Sequence, residues 1–180
     1  DAKPSDYGTA WINHPMVNKA FLEAKKYCDL LVVLPHAGIE DVVVPLPEWR
    51  ARYKEFIDLG ADAVIASHPH TPQGWEQYNG KMIYYSLGNF FFELFSSHHG
   101  ENWYKGLVVE MNVDEKKTIS FKVYNTKFSE KSLSLDESLE CKQYNSYLCD
   151  LLSSTDKYWS YLNGELQKLW PEYKLYLLRG

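Results

Sequence analysis

Between Leu30 and Tyr85 continuous apolar runs alternate with stretches of helical period, a pattern that predicts an α/β arrangement. Pro15 suits the first turn of a helix, with Asn13 or His14 as its cap, and Met16, Ala20, Phe21, Ala24 and Tyr27 recur at helical spacing. Leu30-Leu31-Val32-Val33-Leu34 is an unbroken apolar run of strand length, which predicts a strand covered on both faces. After a loop from His36 to Pro45, Pro47 opens a second helix with Tyr53, Phe56, Ile57 and Leu59 inward and Gly60 at its C-terminal end. Ala63 to Ala66 reads as a second buried strand, and Met82 to Tyr85 as a third after the Asn79-Gly80 turn. Strand, helix, strand at these lengths is a βαβ unit, with a right-handed crossover and a parallel pair.

Beyond Gly88 the pattern changes. Leu107 to Val113 and Thr118 to Tyr124 alternate in strand fashion around Asp114-Glu115-Lys116-Lys117, an antiparallel hairpin. Ser134 with Glu137 forms a capping-box signature ahead of Leu135, Leu139, Tyr144, Leu148 and Leu151. A last helical stretch runs from about Thr155 to Trp170 and stops before Pro171. The expected organisation is an α/β part with its hairpin over residues 1–128 and a helical tail over 129–180. Residues 1–8 read as an irregular lead-in.

The 180 residues are 45% apolar and 24% charged, which fits a globular domain and excludes a disordered chain. No apolar run approaches the length of a membrane span. A net charge of −5, with 19 basic residues and no dense basic run, argues against nucleic acid as a partner. Three cysteines make no closed disulfide framework, and Cys141 and Cys149 sit about 12 Å apart along one expected helix. Cys28 reads as a small apolar filler. The chain opens with Asp1 and carries no apolar signal segment, so it reads as a piece of something longer.

The chemistry is concentrated where each buried strand ends. The first runs into Pro35-His36-Ala37-Gly38-Ile39-Glu40, the second into Ser67-His68-Pro69-His70, the third into Ser86-Leu87-Gly88-Asn89. The carboxyl ends of parallel strands form the functional rim of an open α/β sheet, so these loops converge. A residue before proline is pushed toward extended geometry, which predicts that His68 and His70 project to the same side. Such a pair can bind one cation or two neighbouring ones; the alternative is a chance surface pair. Gly38 either lets the backbone approach that centre or serves a plain turn.

LPHAGIE, GADAVIASHPHTPQGWEQYNGK and IYYSLGNFFFE, in this order and spacing, resemble the C-terminal half of the CapA-like capsule-biosynthesis (poly-γ-glutamate synthesis) proteins. Those proteins belong to the calcineurin-like metallophosphoesterase superfamily, and the likeness runs from about Trp11 to Val113. The resemblance implies part of a βαβ-sandwich metallophosphoesterase fold with a two-metal site, at the extracytoplasmic face of the cell envelope. It implies His36, His68 and His70 as metal ligands, Glu40 and Asn89 as residues near the chemistry, and two divalent ions (manganese, iron or zinc). The substrate implied is a phosphate ester or a capsule polymer. The superfamily's remaining ligands, aspartates and an asparagine–histidine pair on earlier strands, are absent from their places here. Asn13-His14 is too close to His36 to stand in for that pair and reads as a helix start. A chain with only the histidines is expected to be inactive alone and to need its missing N-terminal half or a homodimer partner.

Other residues keep two readings. Trp75 either walls a substrate pocket or covers the core beneath the rim. Glu40 orients an imidazole or is a solvated loop acid. Asn89 bonds a ligand or tolerates a tight turn after Gly88. Arg50 and Arg52 reach a phosphate or form a solvated helix face. His98 and His99 lie in a loop without strand support. The tail aromatics, among them Tyr144, Tyr147, Tyr158, Trp159 and Tyr161, stack on sugars or, as helical spacing favours, pack a helix pair. Three functions follow: a metal-dependent phosphoesterase half, a non-catalytic binding module of the same fold, or a structural partner in envelope assembly.

Overall fold

The computed structural model describes residues 10–92, 99–129 and 132–177, with side chains to residue 168. In chain order the elements are α1 (Pro15–Ala24), β1 (Val32–Val33), α2 (Pro47–Asp58), β2 (Ala63–Ile65), β3 (Trp75–Tyr78) and β4 (Lys81–Tyr84). A 3-10 turn (Glu101–Tyr104) then leads into β5 (Lys105–Val113), β6 (Ile119–Ser129), β7 (Ser132–Leu135), α3 (Leu139–Ser153) and α4 (Thr155–Leu177). The fold is mixed α/β. One sheet has the order β1-β2-β4-β3, with β1, β2 and β4 parallel and β3 antiparallel to β4; the other is the antiparallel β5-β6-β7.

The first sheet is built as the apolar runs require. Val64 and Ile83 are cross-strand partners, both fully buried, and the helices cover their face. Tyr53 and Phe56 of α2, Leu148, Leu151 and Leu152 of α3, and Tyr158 and Leu162 of α4 share one core with them. Burying a leucine such as Leu148 or Leu162 contributes roughly 1.5–3 kcal/mol. The tail is therefore packed on the α/β part, as helical spacing of its aromatics favours; Trp159 and Tyr147 stay on the outside. On the opposite face Tyr84 meets Trp75 and Phe121 of β6, which joins the two sheets.

Three expectations need correcting. The apolar run at Leu30–Leu34 is not covered on both faces: β1 is the edge of the sheet, half-buried, and Leu34 is 73% exposed. An edge strand has a neighbour on one side only, and nothing in the described residues covers the outer side of Leu34. The capping box at Ser134 is absent because Ser134 and Leu135 pair with Lys127 and Thr126 in β7. Ser138 caps α3 instead, its hydroxyl accepting from the Cys141 N–H at 3.2 Å. Finally, α4 continues through Pro171 to Leu177: proline removes one intrahelical bond, which a long packed helix survives. β3, unforeseen, completes a hairpin with β4 through the Asn79-Gly80 turn, both residues at positive φ.

The three cysteines are unpaired. Among the described residues no helix is long and apolar enough to cross a membrane. His14 rather than Asn13 caps α1, its Nδ1 accepting from Met16 N–H at 3.2 Å.

Candidate functional site

The parallel pairing of β1 and β2 runs on past both strands as a bridge between His36 and Ser67. Ala37 N–H donates to Ser67 O and Ser67 N–H to Pro35 O. His36 and the HPH segment are thereby delivered to the same rim, at the carboxyl ends of the strands. The third loop arrives by a different device. Gly88, at φ 67°, bridges Gly106, and a Cβ on either would run into the facing backbone. That close approach sets Asn89 beside the HPH loop and the start of β5.

The imidazoles meet. His36 Nε2 lies 3.2 Å from His68 Nδ1, their rings 4.9 Å apart, and His36 Nδ1 is 3.0 Å from Ser67 Oγ. His68 and His70 have ring centroids 6.1 Å apart. Asn89 donates from Nδ2 to the carbonyls of His70 and Trp103, so its Oδ1 is the acceptor facing His70 Nδ1 at 2.8 Å. The proton of neutral His70 is thus on Nδ1, and Nε2 keeps its lone pair. Burial, and next the neighbouring His36, push the His68 pKa down, with Glu40 opposing; the neutral form is favoured.

The histidines do not project from an extended segment. His68 has φ 111° and His70 φ 59°, and Asp41, facing them, has φ 62°. The local preference before proline yields to tertiary contacts. Pro69 is fully buried, its carbonyl accepts from Asp41 N–H at 2.9 Å, and its ring lies where a Cβ on Gly38 would stand. Gly38 is needed for this packing, at φ 142°. Non-glycine residues at positive φ cost about 1–3 kcal/mol each and gather where the surrounding structure has a use for the strain.

Two nitrogens bound to one cation at about 2.1 Å in tetrahedral geometry stand about 3.4 Å apart, and His36 Nε2 to His68 Nδ1 is close to that edge. Together with the lone pair on His70, the donor set suits the histidine part of a centre for a borderline metal. Among the described residues no group of three His, Cys, Asp or Glu side chains is gathered tightly enough to hold an ion by itself. No carboxylate is gathered with the three histidines among the described residues: Glu40 is exposed and acts on His68 through its charge.

Other candidates are placed elsewhere. Trp75 packs on Tyr84 in the cleft between the two sheets, alongside Phe121, and does not meet the histidines. Arg50 forks onto Glu76 at 2.8 and 2.9 Å and reaches Leu152 O; Arg52 holds Ile12 O and Glu55. Neither arginine lies on the rim. His98 lies outside the described residues. His99 does reach the site region: its Nδ1 is 2.9 Å from Asp41 Oδ2, and its ring stacks on Trp103 at 3.5 Å. Trp103 in turn stacks on His70 at 4.6 Å, with Phe92 edge-on to both. Sequence reading missed Asp41, Trp103 and Ser67. Only Asp41, next to Glu40 in a histidine loop, offered a signal.

Residues 1–94 match the family described as "Bacterial capsule synthesis protein PGA_cap". The PGA biosynthesis protein CapA of Bacillus subtilis is 42% identical over 79 residues, 44% of this chain and 20% of that protein. The capsule biosynthesis protein CapA of Bacillus anthracis is 40% identical over 77 residues, 43% of this chain and 19% of that protein. An uncharacterized protein of Sinorhizobium fredii, y4sH, is 37% identical over 71 residues, 38% of this chain and 15% of that protein. The matched stretch spans a fifth or less of each of these relatives.

Proposed function

We propose, from the premise that this chain belongs to the bacterial capsule synthesis protein family PGA_cap, that it supplies the histidine half of a two-metal hydrolytic centre in a longer parent protein. The parent acts in making a capsule or poly-γ-glutamate-type polymer, on a phosphate ester or on the polymer, at the extracytoplasmic face of the envelope. His36, His68 and His70 hold the ions, and the carboxylates come from the rest of the parent. Divalent ions in such a centre polarise phosphoryl oxygens and make hydroxide available at neutral pH. Asn89 fixes the tautomer of His70, and Ser67 orients His36. Glu40 keeps a negative charge near His68.

The observation that carries this reading is the 3.2 Å approach of His36 Nε2 to His68 Nδ1 at the end of two parallel strands. The uncovered side of β1 supports the rest. Trp11 and Leu34 are exposed there and, with Val17, Phe21 and Val33, line an apolar groove of about 750 Å³ that His36 also borders. Contiguous apolar surface of this kind is suited to further chain. A non-catalytic binding module is the second reading, favoured for this chain taken alone because among the described residues no carboxylate is gathered with the histidines.

The test is calorimetric titration with Mn²⁺ and Zn²⁺, followed by assay with p-nitrophenyl phosphate. This chain is expected to bind weakly, to lose binding in His68→Ala, and to show no turnover, while the full-length parent binds tightly and hydrolyses. Equal binding by wild type and His68→Ala, or a parent without metal-dependent turnover, overturns the hydrolase reading.

A further inference from the structure

We propose that the cleft between the two sheets is a second ligand site, which takes a short neutral oligosaccharide against Trp75. Strand alternation assembles its apolar lining. Trp75 pairs with Tyr84 and Gln77 with Met82 across β3 and β4, so these four side chains share one sheet face. Glu76 and Ile83, the pair between them, take the other face, toward Arg50 of α2 and the helical core. Ile119, Phe121 and Val123, every second residue of β6, line the facing wall. The walls touch where Tyr84 meets Phe121, ring centroids 5.7 Å apart, and beside that contact lies an open cleft of about 570 Å³. A volume of this order is that of a small-molecule site. Trp75, Met82, Ile119, Phe121 and Val123 are only half-buried, so an occupant can still cover apolar surface on each.

The class of occupant follows from what the polar groups of the cleft have left to give. Asp62 accepts from Lys25, Lys81 and the Leu31 N–H, and Lys117 donates to Asp29. These charges answer one another. Lys81 keeps further N–H donors beyond its bond to Asp62, and the Gln77 amide makes only a long 3.5 Å contact to Gly80 O. Hydroxyl groups can use both without disturbing the ion pairs. A purely apolar occupant would bury Gln77 and Lys81 against nothing, and an anionic one would compete with Asp62 for Lys81. A sugar ring meets both demands, its C–H face on the aromatic wall and its hydroxyls on the amide and the ammonium. The cleft is also remote from the histidine rim. Asp62 and Lys81 stand at the amino ends of β2 and β4, whereas the histidines follow the carboxyl ends of β1 and β2. The inference is therefore independent of the hydrolase reading.

The experiment titrates the 180-residue chain with cellohexaose, maltohexaose and chitohexaose. ¹H–¹⁵N NMR follows the Trp75 indole and the Gln77 side-chain amide, and calorimetry gives the affinity. At least one sugar is expected to bind and to shift both signals. Trp75→Ala is expected to weaken that binding about 10-fold, and Trp75→Phe, which keeps a ring, about 2-fold. Gln77→Ala, at an exposed position, is expected to weaken it about 5-fold. Trp75→Phe and Gln77→Ala carry the test if Trp75→Ala does not fold. His68→Ala is expected to change nothing. No shift with any of the three sugars, or wild-type affinity in all the cleft variants, overturns the site. Loss of binding in His68→Ala moves it to the rim and overturns it equally. Tighter binding of an anionic oligogalacturonate than of any neutral sugar overturns the ligand class.

Discussion

Asn89 spends all three of its polar contacts inside the site, on His70 Nδ1, His70 O and Trp103 O. Asn89→Leu is therefore expected to leave two part-buried carbonyls unpaired, at about 1–3 kcal/mol, and to free the His70 ring. Urea unfolding reads the first effect; a 10–100-fold weaker Zn²⁺ affinity in the parent reads the second. A variant with wild-type affinity would show that the amide does not position the ligand. The convergence of His36, His68 and His70 was legible because each stands within a few residues of the end of a parallel strand. Their backbone was not, since positive φ at His68 and His70 is imposed by Pro69, Gly38 and Asp41 rather than by local preference. The Asp41–His99 bond was out of reach for the same reason: nothing local links residues so far apart.

At the scale of elements, Arg50 locks α2 to the β3–β4 hairpin through Glu76 and to the end of α3 through Leu152 O. Burial alone would raise the Glu76 pKa, but hydrogen bonds from Arg50 and Tyr85, then the Arg50 charge, outweigh that and hold it at about 2. Asp62, between Lys25 and Lys81, is likewise held at about 2 against its burial. A depressed carboxylate stabilises the fold fully above its ordinary pKa and loses that contribution as pH falls through the folded value. Melting temperature is thus expected to drop between about pH 4.5 and pH 2, and Glu76→Gln to melt lower at pH 7 with the gap closing on acidification. A gap independent of pH would mean the pairing contributes nothing ionic. Apolar runs predicted β2 and β4 because their neighbours cover them. The same signal overstated β1, since a run does not say which strand ends up at an edge. β7 and the length of α4 were missed because pairing with β6 and packing on the core outweighed a capping pattern and a proline.

In the whole molecule, among the described residues, Trp11 and Leu34 leave an apolar edge open along β1. Leu34→Lys places a charge on that edge, and at 73% exposure it is expected to change stability by less than about 0.5 kcal/mol. Sedimentation velocity of the 180-residue chain is expected to show concentration-dependent association in the wild type and much less in the variant. Equal association in both would locate the contact elsewhere.

The packing of α3 and α4 against Val42, Val44 and Tyr53 also sets an order of events during synthesis. Asn89, the last residue of the three rim loops, is translated about 70 residues before Leu162 completes the core beneath them. At about 5–20 residues per second the ribosome takes several seconds over that interval. Throughout it the histidine loops are finished as sequence but lack the helices that support them. The rim therefore takes its final geometry only after the release of the tail, and a nascent chain stalled before Leu148 would present its histidines without the core beneath them.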